Sequence, residues 1–457
     1  MAARIVSVHA REVLDSRGRP TVEAEVRCAT GEVGRAIAPS GASTGRHEAH
    51  ERRDAQPQNY DGLGVREVAR AVDRELAPRL VGGDPQDQRW LDNILIQPDG
   101  TPNKSRLGGN ALLAVSLAAA RAAALCQRCE LVEHLQQLWR QIPSRPHPAA
   151  ESSRARVGSL GTAPLLPLPM VNMISGGLHA GGQIDIQDVL AVPVGATSFR
   201  EALEWIVRIY RRLGELLRES GLEGVLVGDE GGYGPRLKGN AAALDVVTRS
   251  IERAGLQPGA QVALAVDAAS THFHSAGRYR LQDQPGAELD AEALGEVWQA
   301  WAGRYPLLSL EDGCAEDDWE GWSHLTTRLG RRLQLVGDDL FVTNAARVSA
   351  GVERGVANSV LIKLNQIGTL TETLETLRLS LDSGYWPVVS ARSGETEDPF
   401  IADLAVATGA GQIKIGSVAR SERLAKYNQL LRLEESLADR AGYLGGKIFE
   451  SLSEREA

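Results

Sequence analysis

The stretch from Leu307 to Gly368 constrains the fold of this chain more than any other. It contains three short apolar runs, and each run stops at a charged residue: Glu311, Asp338 and Lys363. Runs of this kind, separated by intervals long enough for a helix, are typical of buried parallel strands. We therefore expect a (β/α) barrel, in which side chains at the carboxyl ends of the strands converge on one face and form the site.

Two more apolar runs extend this pattern, because residues 262–266 precede Asp267 and residues 412–413 precede Lys414. A single charge at a strand end is most often an ordinary solvated residue. Charges of both signs in register at five strand ends favour a site instead. Three carboxylates and two lysines are therefore expected to share one mouth.

This combination of side chains predicts a particular chemistry. Three oxygen ligands without a cysteine or histidine suit Mg²⁺ better than Zn²⁺. A lysine that faces another cation has its charged form disfavoured and can act as a base near neutral pH. Together these groups predict removal of a proton next to a carboxylate, with metal ions that hold the resulting enediolate.

Length and charge exclude several other classes of protein. The 457 residues are enough for a large core, and the net charge of -9 argues against a nucleic-acid or anionic-membrane partner. The first fifteen residues carry charges unlike those of a signal peptide, and the apolar stretch 111–125 is too short to span a bilayer. One Cys126-Gln-Arg-Cys129 motif is weak evidence for zinc. We expect a cytoplasmic protein.

The chain divides into three parts by composition and pattern. Residues 1–142 predict an α+β domain with a hairpin (4–14 and 21–28), an extended segment near 34–37, and helices at 64–80 and 110–138. Residues 143–168 form a Pro-rich linker or insertion. Residues 169–457 predict the barrel domain. The loop Ala38–Gly45 of the first part is either a mobile lid or a plain solvated loop.

The barrel part opens with a predicted strand at 189–194 and a helix at 198–220. An apolar run at 225–227 continues the strand–helix rhythm, and an amphipathic helix at 420–438 ends it. Between them, the turn Gly228-Asp-Glu-Gly-Gly-Tyr-Gly234 lacks the glycine spacing of a dinucleotide site. Its glycines instead allow a tight turn that points Glu230 toward the barrel mouth.

Several long motifs, in order along the chain, resemble those of the enolase family. They are Asp15-Ser-Arg-Gly-Arg-Pro-Thr-Val-Glu23, Pro39-Ser-Gly-Ala-Ser-Thr-Gly45, Gly228-Asp-Glu-Gly-Gly232, Ser309-Leu-Glu-Asp-Gly313, Gly337-Asp-Asp-Leu340, the run from Leu361 to Glu372, and Arg392-Ser-Gly-Glu-Thr-Glu397. The resemblance implies an N-terminal α+β domain followed by a ββαα(βα)₆ barrel. It also implies a small phosphorylated carboxylate as substrate, and a homodimer or higher homo-oligomer.

The resemblance further implies a role for each matching site residue. Two Mg²⁺ ions are expected per site, the second one arriving with the substrate. The implied metal ligands are Asp267, Glu311 and Asp338 for the first ion and Ser43 for the second. The implied catalytic residues are Lys363 as the base at C2 and Glu230 as the acid that helps the hydroxyl leave. The implied substrate-binding residues are Lys414, Arg392, Ser393, His179, Gln187 and Asp188.

Two departures from the family pattern lie at the end of the pocket where water leaves. Ala391 stands where the family has histidine, and Asp188 stands where it has glutamate. Hydroxide is a poor leaving group that needs a well-placed acid, so changes near Glu230 alter the second half of the reaction. The methyl group of Ala391 also leaves space for a larger group.

Three hypotheses about function remain at this point. The first is ordinary enolase, which interconverts 2-phosphoglycerate and phosphoenolpyruvate. The second, which we favour, is a diverged enzyme that resembles the carboxyphosphonoenolpyruvate synthase of phosphonate antibiotic pathways and accepts a phosphonate-type second substrate. The third is a non-catalytic structural homologue, which would have no need for intact metal ligands.

Overall fold

A computed structural model describes residues 3–41, 44–148 and 157–452 of the chain. The N-terminal part opens with a three-stranded antiparallel sheet of β1 (Ile5–Leu14), β2 (Pro20–Cys28) and β3 (Val33–Ile37). Leu14 pairs with Pro20 at the closed end of the first hairpin, and Gly18 takes a φ of 69° in the turn, a conformation that glycine adopts easily. The predicted hairpin and third extended segment are confirmed.

Helices follow this sheet in the N-terminal part. They are α1 (Arg66–Ala71), a π-helical turn (Val72–Leu76), α2 (Ala77–Leu80), α3 (Gln88–Asp99), α4 (Gly109–Gln127) and α5 (Leu131–Gln141), with a 3₁₀ turn at Tyr60–Gly62 before them. The strands contact α1, the π-helical turn, α2 and α4, whereas α3 and α5 pack against α4. The single helix predicted at 110–138 is wrong in one respect, because Arg128 has a φ of 56° and ends α4. Glu130 and Glu133 then form a capping box that starts α5. Helix α3 was not predicted.

Helix α4 is the core helix of the N-terminal part. It is the one helix of the described ranges that is long and apolar enough, by length and composition, to cross a membrane. Within its most apolar window 83% of the residues are buried inside the protein. Ala118 and Ala122 lie close under Gly34 of β3, where a Cβ would meet their backbone atoms at 2.1 to 2.3 Å. A helix covered in this way is what the core of a folded domain requires.

The second part is a closed eight-stranded barrel. Its strands are β4 (Leu168–Ser175), β5 (Asp188–Val192), β6 (Ala263–Asp267), β7 (Leu307–Glu311), β8 (Gln334–Gly337), β9 (Ser359–Ile362), β10 (Trp386–Ser390) and β11 (Gln412–Gly416). Strand β5 runs antiparallel to both neighbours, β4 and β6, and the other neighbouring pairs in the barrel are parallel. Because β5 is reversed, its first residue, Asp188, lies at the same mouth as the last residues of the parallel strands.

Helices surround the barrel in the expected order. They are α6 (Phe199–Glu219), α7 (Asn240–Arg253), α8 (Ala291–Arg304), α9 (Trp319–Leu329), α10 (Ala345–Arg354), α11 (Leu364–Ile367), α12 (Leu370–Asp382), α13 (Phe400–Thr408) and α14 (Ser421–Leu437). Two helices follow β5 before β6 begins, and each later strand is followed by at least one helix. The predicted ββαα(βα)₆ architecture is confirmed.

Short elements complete the described chain. They are strands Leu165–Leu166 with Gly442–Tyr443 and His274–Ser275 with Arg278–Tyr279, and 3₁₀ turns at Gly177–His179, Ser270–Phe273, Ala438–Arg440 and Gly445–Phe449. Residues 149–156 of the predicted linker lie outside the described residues. The rest of that linker is mostly exposed or half-buried until Leu165–Leu166, but Leu160 is buried in the hydrophobic core. The predicted domain limits at 142 and 168 stay a prediction.

The apolar run at 225–227 does not form a strand. Val225 and Leu226 are 71% and 61% exposed, and Val227 makes only an isolated bridge to Tyr233. The barrel is already closed by its eight strands, so these residues have no edge left to join. They form the segment that leads into the glycine-rich turn that carries Glu230.

Candidate active site

The charged side chains expected at the strand ends do converge on one mouth. Asp267 and Glu311 are the last residues of β6 and β7, and Asp338 and Lys363 follow β8 and β9 directly. Lys414 lies in the middle of β11. All five side chains are at least 87% buried, so their charges act on one another with little screening by water.

Lys414 lies between two carboxylates. Its Nζ donates to Oδ2 of Asp267 at 2.7 Å and to both carboxylate oxygens of Glu311 at 2.8 Å. Burial raises the pKa of Asp267, but the charge and hydrogen bond of Lys414, together with the charges of Lys363 and His179, outweigh burial and bring this pKa to about 2. Burial and the charge of Asp267 raise the pKa of Glu311 well above its ordinary value. Asp267 is therefore the ionised partner of Lys414, and Glu311 is the carboxyl that binds a proton more readily.

Lys363 is paired with the third carboxylate. Its Nζ lies 2.5 Å from Oδ2 of Asp338. Burial and the charges of Arg392 and Lys414 lower the pKa of Lys363, but Asp338, with Glu311, outweighs them and leaves the pKa above its ordinary value. The prediction of a lowered pKa for Lys363 is wrong for this arrangement, because the nearest charge is a carboxylate and not a cation.

Two residues that the sequence analysis missed hold Asp338 in place. Gln366, on α11, donates through Nε2 to Oδ1 of Asp338 at 2.8 Å. Asp312 accepts the backbone N–H groups of Asp338 and Asp339, each at 2.9 Å, and thereby fixes the backbone of the turn. Gln366 stands three residues after Lys363 in the matched motif, so its position was a usable signal. Asp312 directly follows Glu311 in the matched motif Ser309–Gly313, so its position was a usable signal as well.

The donor set fits a hard divalent cation. The oxygens of Asp267 and Glu311 already gather around one ammonium group at 2.7 to 2.8 Å, and Asp338 binds a second ammonium group beside them. Oxygen-only ligands of this charge are what Mg²⁺ binds. A second acidic group, Asp312 with Asp338 and Asp339, also brings its oxygens within 4.8 Å of one another. In that group both oxygens of Asp312 are already occupied by backbone N–H groups.

The predicted anion clamp lies beside Lys363. Arg392, which is 3% exposed, donates to Oε2 of Glu48 at 2.9 Å and to Oδ1 of Asn365 at 2.8 Å. The backbone of the clamp is held by Arg423, which donates to the carbonyls of Arg392 at 2.5 Å and Ser393 at 2.6 Å. Glu48, Asn365 and Arg423 were not predicted. Glu48 and Asn365 orient the guanidinium of Arg392 through hydrogen bonds, and Arg423 holds the backbone next to it.

The opposite side of the mouth holds a second buried group. Nδ1 of His179 lies 3.1 Å from Oδ2 of Asp188, and its Nε2 lies 3.9 Å from Oε1 of Glu230. Burial lowers the pKa of His179, but the charges of Asp188 and Glu230 outweigh burial and raise it to about 9. Burial raises the pKa of Glu230, yet His179, Arg423 and Lys414 lower it further than burial raises it. At neutral pH the proton of this group therefore belongs to His179, and Glu230 is a carboxylate.

Asp188 is completely buried at the start of β5 and Asn172 donates a short hydrogen bond to its Oδ1. Gln187, one residue earlier, donates to Oδ2 of Asp267 at 3.2 Å and so connects the two sides of the mouth. Ala391 follows β10, is 5% exposed, and its N–H donates to the carbonyl of Lys414. Asn172 is a further residue that the sequence analysis missed, because nothing local marks its partner sixteen residues away.

The loop Ala38–Gly45 is joined to the predicted anion clamp at Ser40. Ser40 and Gly394 exchange backbone hydrogen bonds at 2.8 and 2.9 Å, one residue after Ser393. Arg17 supports this junction by donating to Oγ of Ser40 at 2.9 Å and to the carbonyl of Gly41 at 3.2 Å. Ser43, the predicted ligand of the second Mg²⁺, lies outside the described residues. These contacts place the start of the loop beside Ser393, and its role as a mobile lid stays a prediction.

These features define a class of protein, a barrel enzyme scaffold with acidic and basic side chains at the carboxyl ends of its strands and a capping α+β domain. Comparison with known families agrees over nearly the whole chain. Residues 5–135 match the family model described as Enolase, N-terminal domain, and residues 163–452 match Enolase, C-terminal TIM barrel domain. The chain belongs to the enolase family.

Proposed function

We propose that this chain is a Mg²⁺-dependent enzyme that acts on 2-phosphoglycerate or phosphoenolpyruvate by abstraction of the C2 proton. We further propose that it has diverged to accept a second, phosphonate-type substrate, as a carboxyphosphonoenolpyruvate synthase does. The observation that carries the proposal is the contact of both lysines, Lys363 and Lys414, with the three carboxylates of one mouth.

Asp267, Glu311 and Asp338 would hold the first Mg²⁺, and Ser43 would contribute to a second one that arrives with the substrate. Bound Mg²⁺ supplies positive charge that neutralises these carboxylates and polarises the carboxylate of the substrate. Lys363 pairs with Asp338, and Lys414 pairs with Asp267 and Glu311. These pairs support the assignment, because each ammonium group marks a position where the carboxylates stabilise positive charge.

Lys363 would be the base. Once the charges of Asp338 and Glu311 are neutralised, the remaining influences on Lys363 are burial and the charges of Arg392 and Lys414, and all of these lower its pKa. A neutral amine at this position can take the C2 proton of a substrate whose phosphate lies on Arg392 and Ser393. Lys414 would lie beside the substrate carboxylate, and Gln187 would complete the pocket.

The loss of water is the step that we expect to have changed. Glu230 can act as an acid only after it receives a proton, and the nearest proton belongs to His179, whose Nε2 is 3.9 Å away. Asp188 stabilises the charged imidazole and so opposes that transfer. We expect the methyl group of Ala391, which stands where the family has histidine, to leave room for the second substrate. A slow loss of hydroxide and added space are the two properties that we expect of the diverged enzyme.

Ordinary enolase activity is the second candidate function. It is favoured by one observation: Glu230 and His179 are both retained and buried at the mouth, where a proton donor for the leaving hydroxyl is needed. A non-catalytic role has no such support. The chain is also proposed to work as a homodimer or higher homo-oligomer in the cytoplasm, without a nucleic-acid or membrane partner.

One experiment separates the two candidates. The protein is incubated with Mg²⁺ and 2-phosphoglycerate in D₂O, and C2 deuteration and phosphoenolpyruvate formation are followed together by NMR, with and without phosphonoformate. The diverged enzyme should deuterate C2 faster than it releases phosphoenolpyruvate, and phosphonoformate should be consumed into a new product. Equal rates of deuteration and release, with phosphonoformate left intact, would identify ordinary enolase. No deuteration at all would reject both.

A further inference from the structure

A cavity of about 460 Å³ lies between α3, the end of α5 and α12, and none of the predicted catalytic or metal-binding residues lines it. Its charged lining residues are Arg89, Arg145, Arg378, Glu375 and Asp382. The wall contributed by Arg145 belongs to the segment predicted as a linker or insertion. This cavity is therefore partly built by residues that join the two parts of the chain.

Both carboxylates that line the cavity already have partners within the protein. Arg89 binds Glu375 at 2.7 Å. Both oxygens of Asp382, which is 5% exposed, accept hydrogen bonds, one from Oγ of Ser144 at 2.7 Å and one from the N–H of Arg145 at 2.5 Å. Neither carboxylate has an ion pair with Arg145 or Arg378 in the described part of the chain.

The guanidinium of Arg378 stacks on an aromatic ring and makes few hydrogen bonds. Its guanidinium lies over the ring of Trp139 at 3.7 Å from the centroid, and one N–H group makes a long contact of 3.5 Å to the carbonyl of Trp139. Its Nε is buried and has no hydrogen-bond partner among the described residues. A buried charged donor without a partner is costly, and a planar guanidinium fixed by stacking offers paired N–H groups to an oxyanion.

We propose that this cavity is a binding site for a small dianion, either inorganic phosphate or a phosphate monoester, held by Arg378 and Arg145. The stacked guanidinium of Arg378 supplies two N–H groups to the phosphate oxygens. Arg145, which also lines the cavity, supplies the second positive charge. The site is separate from the clamp at Arg392 and does not depend on the proposed function.

The test counts phosphate sites by equilibrium dialysis with radiolabelled inorganic phosphate at low salt and without Mg²⁺. The cavity should bind one phosphate in the wild-type chain, in addition to any phosphate held at Arg392, and this cavity phosphate should remain in Arg392→Gln. In that background, Arg378→Gln and Arg145→Gln should each weaken the remaining site at least about tenfold. Arg378→Lys should weaken it less, since the charge stays. Displacement of the label by glycerol 3-phosphate would show that esters bind, and failure to displace it would restrict the site to free phosphate.

Arg354→Gln is the matched control, because Arg354 also stacks on a tryptophan, Trp319, but lies outside the cavity. It should leave the binding unchanged. Arg145 is exposed and its side chain forms no described bond, so Arg145→Gln tests the site even if Arg378→Gln disturbs packing on Trp139. Complete loss of phosphate binding in Arg392→Gln would overturn the proposal. So would unchanged binding in both cavity variants.

Discussion

Nδ1 of His179 lies 3.1 Å from Oδ2 of Asp188, and this ion pair is completely enclosed at the mouth of the barrel. The charge of Asp188 is the largest single reason why the pKa of His179 rises to about 9 in spite of burial. The state of this one imidazole decides whether a proton is available near Glu230.

Asp188→Asn should therefore lower the pKa of His179 toward 6.5 or below, because burial would be opposed by Glu230 and more distant charges alone. The measurement is an NMR titration of the His179 ring protons between pH 5 and pH 10, assigned with His179→Gln. Asp188→Glu keeps the charge and should keep the pKa high. An unchanged pKa in Asp188→Asn would mean that another group stabilises the imidazolium.

Two sets of carboxylates that share Asp338 could hold Mg²⁺, and substitutions distinguish between them. One set is Asp267, Glu311 and Asp338, and the other is Asp312, Asp338 and Asp339. If the ion binds between Asp267, Glu311 and Asp338, then Glu311→Gln should weaken Mg²⁺ binding about tenfold or more. Asp339→Asn should have little effect, since Asp339 belongs only to the group in which Asp312 is engaged with the backbone. Calorimetric titration of Mg²⁺ into each variant compares them directly. The reverse order of affinities would move the ion to the Asp312 group.

Lys363→Ala should slow deuteration of 2-phosphoglycerate at C2 by about 10²- to 10⁴-fold, because the base is lost while the metal ligands stay. Removing the ion pair with Asp338 also frees that carboxylate, so Mg²⁺ affinity should not fall. Lys238→Ala, which removes an exposed lysine, is the control for loss of positive charge. Deuteration at the wild-type rate in Lys363→Ala would assign the base to a different residue.

Much of this mouth could be predicted because its pattern is local. An apolar run that ends at a charged residue identifies both a strand and the end that matters, which is why Asp267, Glu311 and Lys363 could be named from sequence. The partners that hold them come from distant parts of the chain. Glu48 contacts Arg392 across 344 residues, and Asn172 contacts Asp188 from the neighbouring strand. Such pairs leave no periodic signal.

Two errors have physical causes of the same kind. The run at 225–227 has the composition of a strand, but the closed barrel offers it no partner, so Val225 stays exposed. The pKa of Lys363 was expected to be low because a second lysine was expected nearby. The distance of 2.5 Å to Asp338 reverses that expectation, and only coordinates supply it.

A buried carboxyl outside the mouth makes stability depend on pH. Asp403 on α13 is 4% exposed, and its main polar contact is Nε2 of Gln429 at 3.3 Å. Burial raises the pKa of Asp403 to about 7, from 3.8 in the unfolded chain. Between these values the folded state binds more protons than the unfolded state. The contribution of the Asp403 carboxyl to the free energy of unfolding is therefore largest below pH 4 and is lost as the pH rises to about 7.

Asp403→Asn should remove this dependence and stabilise the protein above pH 7 by on the order of 2–4 kcal/mol. At pH 5 the advantage should be smaller. Urea unfolding at pH 5 and pH 8 provides the comparison, with Asp439→Asn as an exposed control that should change neither value. An equal effect of Asp403→Asn at both pH values would show that the carboxyl is ionised throughout.

The last prediction concerns Ala391. Restoring the family pattern with Ala391→His and Asp188→Glu should speed the release of phosphoenolpyruvate from 2-phosphoglycerate, because a second imidazole is returned to the side where hydroxide leaves. Deuteration at C2, which depends on Lys363, should change little. The larger side chain should also fill the space at Ala391 and raise the KM for phosphonoformate. NMR measurement of deuteration and release in the same sample separates the two steps.

Ala391→Leu fills the space without a proton donor and is the control. It should hinder the use of phosphonoformate without speeding the release of phosphoenolpyruvate. If phosphoenolpyruvate release in the wild type already keeps pace with deuteration, the restored residues have nothing to correct and the chain is an ordinary enolase.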